Sequence, residues 1–225
     1  MSSWLLAGSH SFQFDVPHAA AKLGIMRNVF VCLALSATVF TLTPARAQTV
    51  SARQVLEPSA REAEGQKKAL DELFDSLKRQ RNQVEAERTA ARIGAAFGQS
   101  GSASIDLMMG WASKALTDKK FDLALDYLDQ VIALKPGYAE AYNRRATVHF
   151  TMQNYSKSMA DIERTITLEP RHFGALSGLA QIMDNTGREE LALRAYERVL
   201  DVYPALRSAQ DEVGRLADKL AGDGA

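Results

Sequence analysis

The 225-residue sequence has little of what most catalytic and metal sites require. It contains one cysteine and four histidines, and no pair of them has the spacing of zinc ligands. Its 27 basic and 27 acidic residues cancel, which argues against a dedicated nucleic-acid binder, because such proteins carry a basic excess. It also lacks a glycine-rich phosphate loop. Neither His149 nor His172 has a nearby serine or cysteine arranged as a nucleophile. We therefore expect no cofactor, no metal and no enzyme activity.

The N-terminal part of the sequence is expected to direct export. Residues 29–42 form an apolar run after Arg27, and residues 45–47 read Ala-Arg-Ala, the small-x-small pattern that signal peptidase cleaves. The run has 14 residues, fewer than the roughly 20 that span a membrane as a helix. The sequence predicts a signal peptide over residues 26–47 and a periplasmic or secreted mature protein that begins at Gln48, without a membrane span. A retained membrane helix is the alternative.

The segments on either side of the predicted signal peptide are interpreted from their composition. Residues 1–25 include Asp15 and do not form a signal-peptide n-region. We interpret them as an extension from a misassigned start, with an unusually long n-region as the alternative. Residues 48–68 are polar and lack apolar periodicity, which is typical of a disordered tether.

A 34-residue period dominates the rest of the sequence. Pro136, Pro170 and Pro204 are spaced at this interval, and they end the similar phrases VIALKP, TITLEP and VLDVYP. Thirty-four residues is the period of the tetratricopeptide repeat. The sequence therefore resembles this family over three units without insertions, which are residues 105–138, 139–172 and 173–206.

Small residues recur where the two helices of each repeat would cross. Positions 8 and 20 of the repeats hold Ala112, Ala146, Ala180, Ala124, Ser158 and Ala192. Close approach of two helices requires such side chains. The resemblance implies an all-α fold, a right-handed α-solenoid of helix-turn-helix repeats.

Helical segments are also predicted on both sides of the three repeats. Residues 69–104 contain two amphipathic patterns and are predicted to form an N-terminal helical pair. This pair is either a degenerate leading repeat or a plain helical hairpin. Residues 207–225 are predicted to form a capping helix and a tail, since repeat arrays need polar ends.

Two adjacent arginines lie in the first helix of the second repeat. Some tetratricopeptide units carry arginine and aspartate at the positions of Arg145 and Asp161, so the resemblance implies an internal ion pair between them. Arg144 lies about 100° around the helix, nearer the concave side, where either a solvated side chain or a ligand contact remains open. The carboxylate clamp of chaperone-binding members is not expected, because Arg144 is the one basic residue at the five clamp positions.

The resemblance also places a partner groove on the first helices of the repeats. Its predicted lining is Asp106, Met109, Ser113, Leu116, Glu140, Asn143, Arg144, Thr147, Phe150, Ser177, Gln181 and Asp184. This lining is mostly uncharged and polar, which suits a peptide held by hydrogen bonds and does not suit a phosphate backbone. A solvated groove without a ligand is the alternative. Trp111 and His149 are expected to be packed residues.

The resemblance implies a non-catalytic interaction or scaffold module of the bacterial envelope, which binds a peptide or protein segment in its concave groove. Two alternatives belong to other classes. One is a structural protein that self-associates through its N-terminal helices, and the other is an accessory subunit of an envelope enzyme.

Overall fold

The computed structural model describes residues 52–222, with side chains from residue 62 onward. The predicted extension, signal peptide and cleavage site, and the last three residues of the tail, lie outside the described residues. The described part of the chain forms helices and no strands. In order, these helices are α1 (Ala52–Arg79), α2 (Gln83–Phe97), α3 (Ala103–Thr117), α4 (Phe121–Leu134), α5 (Ala139–Thr151), α6 (Tyr155–Leu168), α7 (Phe173–Asn185), α8 (Glu189–Val202) and α9 (Arg207–Gly222).

The three repeats form the helical hairpins α3–α4, α5–α6 and α7–α8, stacked one after another into an all-α solenoid of helical repeats. The small residues at the predicted crossings are all buried. In the middle hairpin, the Ser158 hydroxyl donates a hydrogen bond across the crossing to the carbonyl oxygen of Ala146, at 2.9 Å. A side chain can reach a neighbouring helix backbone in this way only when both crossing residues are small. The expected all-α solenoid is therefore confirmed.

Each hairpin turns through one residue with a left-handed backbone. Lys119, Gln153 and Gly187 occupy the same repeat position and have φ angles of 58°, 59° and 70°. Glycine adopts this conformation readily, whereas an L residue with a Cβ pays about 1–2 kcal/mol. The turn geometry is thus imposed by helix packing in the first two repeats, and the sequence favours it locally only in the third.

The structure differs from the disordered tether expected over residues 48–68, because the backbone from Ala52 onward belongs to α1. The described side chains at residues 62–69 are exposed, which explains the missing apolar periodicity. Glutamate, lysine, glutamine and alanine dominate this stretch, and all have high helix propensity. Phe74 and Leu77 then anchor the C-terminal part of α1 in a core, so the helix can extend from a packed end.

The N-terminal pair α1–α2 lies against the turns that join successive repeats. The ring of Phe97 stacks on His172 with centroids 4.6 Å apart, and the Tyr138 hydroxyl donates a hydrogen bond to the Phe97 carbonyl oxygen at 2.9 Å. Arg171 pairs with Asp71 at 2.7 Å. A leading repeat would instead stack on α3. The pair is therefore a helical hairpin bound to the edge of the solenoid.

Helix α9 covers the last repeat, as expected for a cap. Its buried residues Ala209 and Leu216 join the core formed by α7 and α8, while most of its other side chains are exposed. Arg215 adds an ion pair to Asp184 at 2.5 Å. None of the described helices combines the length and the apolar character that a membrane crossing needs.

Candidate functional site

Two adjacent clefts lie between the first helices of the three repeats. The first cleft, between α3 and α5, has a volume of about 250 Å³. The second, between α5 and α7, has a volume of about 190 Å³. Thr147 on α5 lines both clefts, so together they form one surface across all three repeats.

The structure brings together seven of the twelve residues predicted for the groove. Ser113, Leu116 and Arg144 line the α3–α5 cleft with Thr147, while Asn143, Phe150 and Gln181 line the α5–α7 cleft with the same threonine. This arrangement follows from the solenoid, because the first helices of successive repeats lie side by side and expose the same helical face. The clefts contain hydroxyl, amide and apolar groups, which can hold a polypeptide but offer no nucleophile with its base.

Met109 does not line either cleft, which corrects the prediction for this residue. Its side chain is only 2% exposed and belongs to the core of the first repeat with Ile105 and Leu128. Burial removes a large apolar side chain from water and stabilises the fold. The resemblance placed Met109 at a groove position, but a long flexible side chain can turn from such a position into the core.

Four other predicted groove residues are engaged in contacts within the protein. The carboxylate of Asp106 accepts a hydrogen bond from the Ser100 backbone N–H at 2.8 Å. Asp184 is paired with Arg215 on the capping helix. The Ser177 hydroxyl donates to the carbonyl oxygen of Phe173, one turn earlier, at 2.8 Å. The fourth residue, Glu140, belongs to a larger polar network.

Glu140 is the centre of a partly buried network. It accepts hydrogen bonds from Arg144 Nε at 2.8 Å and from Asn143 Nδ2 at 3.1 Å, and it lies 3.1 Å from His172 Nε2. His172 Nδ1 accepts the Ala175 backbone N–H at 3.1 Å, so its proton lies on Nε2 and is donated to Glu140. Burial alone would raise the pKa of Glu140, but the hydrogen bonds from His172 and Arg144 bring it below its ordinary value.

Arg144 is held by contacts within the protein and is not a freely solvated side chain. Besides its bond to Glu140, Arg144 Nη1 donates to Ser113 Oγ on α3 at 2.6 Å and to the Met109 carbonyl oxygen at 3.4 Å. The guanidinium therefore bridges α5 and α3 at the first cleft. Its side chain remains about one-third exposed.

Arg145 and Asp161 form the paired contact implied by the resemblance. Arg145 Nε and Nη2 donate to the two carboxylate oxygens of Asp161 at 2.8 and 2.6 Å. A third nitrogen, Nη1, donates to Asp129 on α4 at 2.6 Å. Hydrogen bonding to Asp161, and then to Asp129, raises the pKa of Arg145 above its ordinary value. Arg145 thus joins the first and second repeats. Its contact with Asp129 was not predicted from the sequence.

Trp111 and His149 differ in their environments. His149 is buried as expected, and its Nδ1 has no hydrogen-bond partner in the described part of the chain. Burial lowers the pKa of this imidazole. Trp111, by contrast, is 46% exposed and lies against Tyr127 with ring centroids 5.5 Å apart. The expectation of a core tryptophan is therefore wrong, because no described helix covers this face of α3.

Two glycines help to line the groove. Gly174 and Gly178, which stand at two of the five clamp positions, line the α5–α7 cleft from α7. The lining also includes Ala146 and Ser158, which were predicted at a helix crossing, together with Ile162 and Ala175. The two glycines stand at the repeat positions that Glu140 and Arg144 occupy on α5. Within residues 52–222, no group of three or more His, Cys, Asp or Glu side chains is placed to hold a metal ion.

The fold and the clefts define a helical-repeat interaction module. Known proteins agree with this class. The sequence model of the tetratricopeptide repeat matches residues 139–172. A TPR repeat-containing protein of Rhizobium etli is 50% identical over 175 residues, covering 78% of this chain and 86% of that protein. The small glutamine-rich tetratricopeptide repeat-containing protein 2 of Saccharomyces cerevisiae is 32% identical over 90 residues, covering 40% of this chain and 26% of that protein.

Solved structures show the same fold. The Sgt2 TPR domain from Aspergillus fumigatus has a TM-score of 0.51 at 17% identity, covering 55% of this chain and 83% of that one. The first TPR of Spaghetti (RPAP3), bound to the HSP90 peptide SRMEEVD, has a TM-score of 0.50 at 21% identity, covering 52% of this chain and 93% of that one. The chain belongs to the tetratricopeptide repeat family, whose members typically serve as non-catalytic protein-interaction modules.

Proposed function

We propose that this protein binds a segment of a partner protein along the concave surface formed by α3, α5 and α7, and that it catalyses no reaction. The observation that carries the proposal is the pair of adjacent clefts lined by hydroxyl, amide and apolar groups. The related fold of Spaghetti holds a peptide, which supports a polypeptide ligand here. The partner need not resemble that acidic peptide. Four of the five clamp positions hold uncharged residues, which are Met109, Ser113, Gly174 and Gly178.

Site-specific photo-crosslinking tests this proposal. A photoreactive amino acid at Thr147, which is exposed and lines both clefts, should crosslink a partner in cells. The matched control replaces Glu197, an exposed residue of α8 that lines neither cleft. The proposal predicts a discrete product from position 147 and none from position 197. Equal products from both positions, or no product at 147, would contradict it.

The proposal extends to location in the bacterial envelope. Its support is the apolar run at residues 29–42 and the Ala-Arg-Ala pattern before Gln48, and the relative in a bacterium is compatible with it. N-terminal sequencing of the envelope fraction should give a mature chain that begins at Gln48. A full-length chain retained in the cytoplasm would contradict this part of the proposal.

A second candidate function, self-association, is favoured by an exposed apolar face on the first repeat. Leu107 and Trp111 on α3 are 53% and 46% exposed. Ala141 and Ala175, the residues equivalent to Leu107 in the next two repeats, are 0% and 1% exposed, because each preceding hairpin covers them. The face on α3 and α4, which also includes Tyr127, therefore has the composition of an inter-repeat contact without its covering repeat.

The occupant that we consider for this face is a second copy of the chain in a two-fold dimer. Head-to-tail stacking would need an open C-terminal end, which α9 covers, so the dimer that we consider pairs this face with its own equivalent. Light scattering after size-exclusion chromatography should then show a dimer that Trp111→Glu dissociates. Leu191→Glu, at a similarly exposed leucine on α8, is the control. A monomer at all concentrations would exclude this function.

A further inference from the structure

The cleft between α5 and α7 owes its openness to two glycines. The second and sixth residues of α5 are Glu140 and Arg144, whereas the second and sixth residues of α7 are Gly174 and Gly178. Consecutive repeats therefore differ in the side chains that stand between neighbouring first helices. This difference lies in the side chains and not in the helical backbone that the repeats share.

The side chain at the sixth position determines whether a cleft is bridged. At the first cleft, Arg144 reaches from α5 to α3 and donates to Ser113 Oγ at 2.6 Å. An equivalent side-chain bridge at the second cleft would run from position 178 on α7 to Thr147 on α5. Glycine has no side chain to make this bridge, so the second cleft is left unspanned and Thr147 remains exposed.

The second cleft contains no charged side chain. Its inner surface is formed by apolar groups of Ala146, Phe150, Ile162 and Ala175, together with the hydroxyl of Ser158. That hydroxyl already donates to the Ala146 carbonyl oxygen. A charged group entering the cleft would lose hydration and find no opposite charge, which is costly. The electrostatics of the lining therefore select an uncharged group.

The size of the cleft selects a single side chain. Its volume of about 190 Å³ is below the roughly 300–1,000 Å³ of pockets that enclose whole small-molecule ligands. It is several times the roughly 30 Å³ that one water occupies in the liquid. An aliphatic side chain can displace several waters from this space and contact Phe150 and Ile162, which is favourable because apolar surface leaves water on both sides.

Amide side chains flank this space. Asn143 donates its Nδ2 to Glu140 at 3.1 Å, which fixes the orientation of the amide and leaves Oδ1 as an acceptor. Gln181 is exposed and makes no hydrogen bond to another described residue. Such amides can pair with both the N–H and the C=O of an extended main chain.

We propose that the α5–α7 cleft binds one uncharged aliphatic side chain, of the size of leucine or valine, from an extended peptide whose main chain hydrogen-bonds to Asn143 and Gln181. This inference rests on the proposed function and deepens it, because it defines the chemistry of the partner segment. The two glycines leave the α5–α7 cleft without a side-chain bridge, whereas Arg144 crosses the α3–α5 cleft to Ser113.

The probe for this pocket is N-acetyl-leucine-N-methylamide, which carries one aliphatic side chain between two peptide groups. Titration into the isotope-labelled full chain should produce saturable NMR shifts at the backbone amides of Gly174 and Gly178 and at the side-chain amides of Asn143 and Gln181. The corresponding aspartate and lysine compounds should bind at least about tenfold more weakly. Equal binding of the three compounds would overturn the proposal.

Substitutions at Gly178 that fill the pocket provide a second, matched test. A Cβ at Gly178 would meet only Ile162 Cδ1, at 3.4 Å, so Gly178→Ala is accommodated and Gly178→Leu occupies the cleft. Alanine is a better helix former than glycine, so Gly178→Ala should weaken binding of the leucine probe while raising the thermal midpoint. Gly110, at the same repeat position on α3, has open space around it. Gly110→Ala should stabilise equally without affecting the probe.

The outcomes separate this inference from the proposed function. Unchanged binding of the leucine probe to Gly178→Ala and Gly178→Leu would overturn the pocket. If the crosslink at Thr147 to a partner also persists in Gly178→Leu at unchanged yield, the proposed function stands and the pocket is wrong. If the probe binds in a Gly178-dependent manner but position 147 crosslinks no partner, the pocket is supported and the proposed function fails.

Discussion

Truncation of Arg145 should destabilise the solenoid because it leaves a buried carboxylate without its counter-ion. The Asp161 side chain is 7% exposed and receives two hydrogen bonds from Arg145, at 2.8 and 2.6 Å. Removal of one partner of a fully buried ion pair costs roughly 3–5 kcal/mol. The Arg145 side chain is 23% exposed, so water can enter the space that it leaves. We therefore expect Arg145→Ala to reduce the free energy of unfolding by about 2–3 kcal/mol.

Denaturant unfolding monitored by circular dichroism measures this change, and the slope of the transition tests whether the folded state keeps its extent of burial. Asp129→Asn is the matched control, because Asp129 bonds the same guanidinium but is 61% exposed. Exposed pairs contribute about 0–1 kcal/mol, so this variant should be nearly neutral. Comparison of the two variants therefore distinguishes the effect of the buried contact with Asp161 from that of the exposed contact with Asp129, both made by Arg145.

A double-mutant cycle between Arg145→Ala and Asp161→Asn isolates the pair. We expect a coupling energy of about 1–3 kcal/mol, within the range for residues in direct contact. A coupling near zero would refute the reasoning. So would equal destabilisation by Asp129→Asn and Arg145→Ala, since the exposed carboxylate would then carry the effect that we assign to the buried one.

Three further predictions concern the core, a titrating side chain and the N-terminal hairpin. Ala146→Leu should lower the free energy of unfolding by roughly 1–3 kcal/mol through overpacking, because Ala146 lies at a helix crossing with Ser158; an unchanged melting curve would show that the crossing tolerates bulk. Burial lowers the pKa of His149 in the folded protein. Below the unfolded value of 6.5, the unfolded chain takes up a proton that the folded protein does not bind. The stability that depends on neutral His149 is therefore complete above this pH and declines as the pH falls below it. His149→Leu should flatten the fall in thermal midpoint between about pH 7 and pH 5, and an identical profile would contradict this assignment. Phe97→Ala removes the ring that stacks on His172, so hydrogen exchange should accelerate in α1 and α2 and remain unchanged in α6; uniform acceleration would show that the hairpin is not a separate unit.

The helical hairpins and their crossings were predictable from the sequence. Helix formation depends on local periodicity, and the crossing requires small residues at fixed positions, so the 34-residue spacing and residues such as Ala146 and Ser158 were sufficient. The contact between Arg145 and Asp161 was implied by the resemblance to tetratricopeptide repeats, and both side chains belong to one hairpin. The resemblance also implied the seven groove residues that line the clefts.

Contacts between distant segments were not predictable, because a repeat pattern contains no information about what lies outside the repeat. Arg171 and Asp71 are 100 residues apart in sequence and meet only when α1 packs on the solenoid. The position of Phe97 on His172 likewise depends on this packing. The sequence could therefore indicate a helical pair but not the edge of the solenoid to which the pair binds.

The role of each side chain on the groove was also decided by tertiary structure. By sequence alone, Arg144 was either solvated or a ligand contact, yet its reach allows it to bridge to Ser113 on α3. Met109 had a groove position, but its flexible side chain is buried in the core. Gly178 was expected only to lack the basic group of a carboxylate clamp, and the bridge that Arg144 makes one repeat earlier shows what its missing side chain leaves open. The sequence determined which helical face each residue occupies, whereas only packing between neighbouring helices determined which side chains remain free to meet a partner.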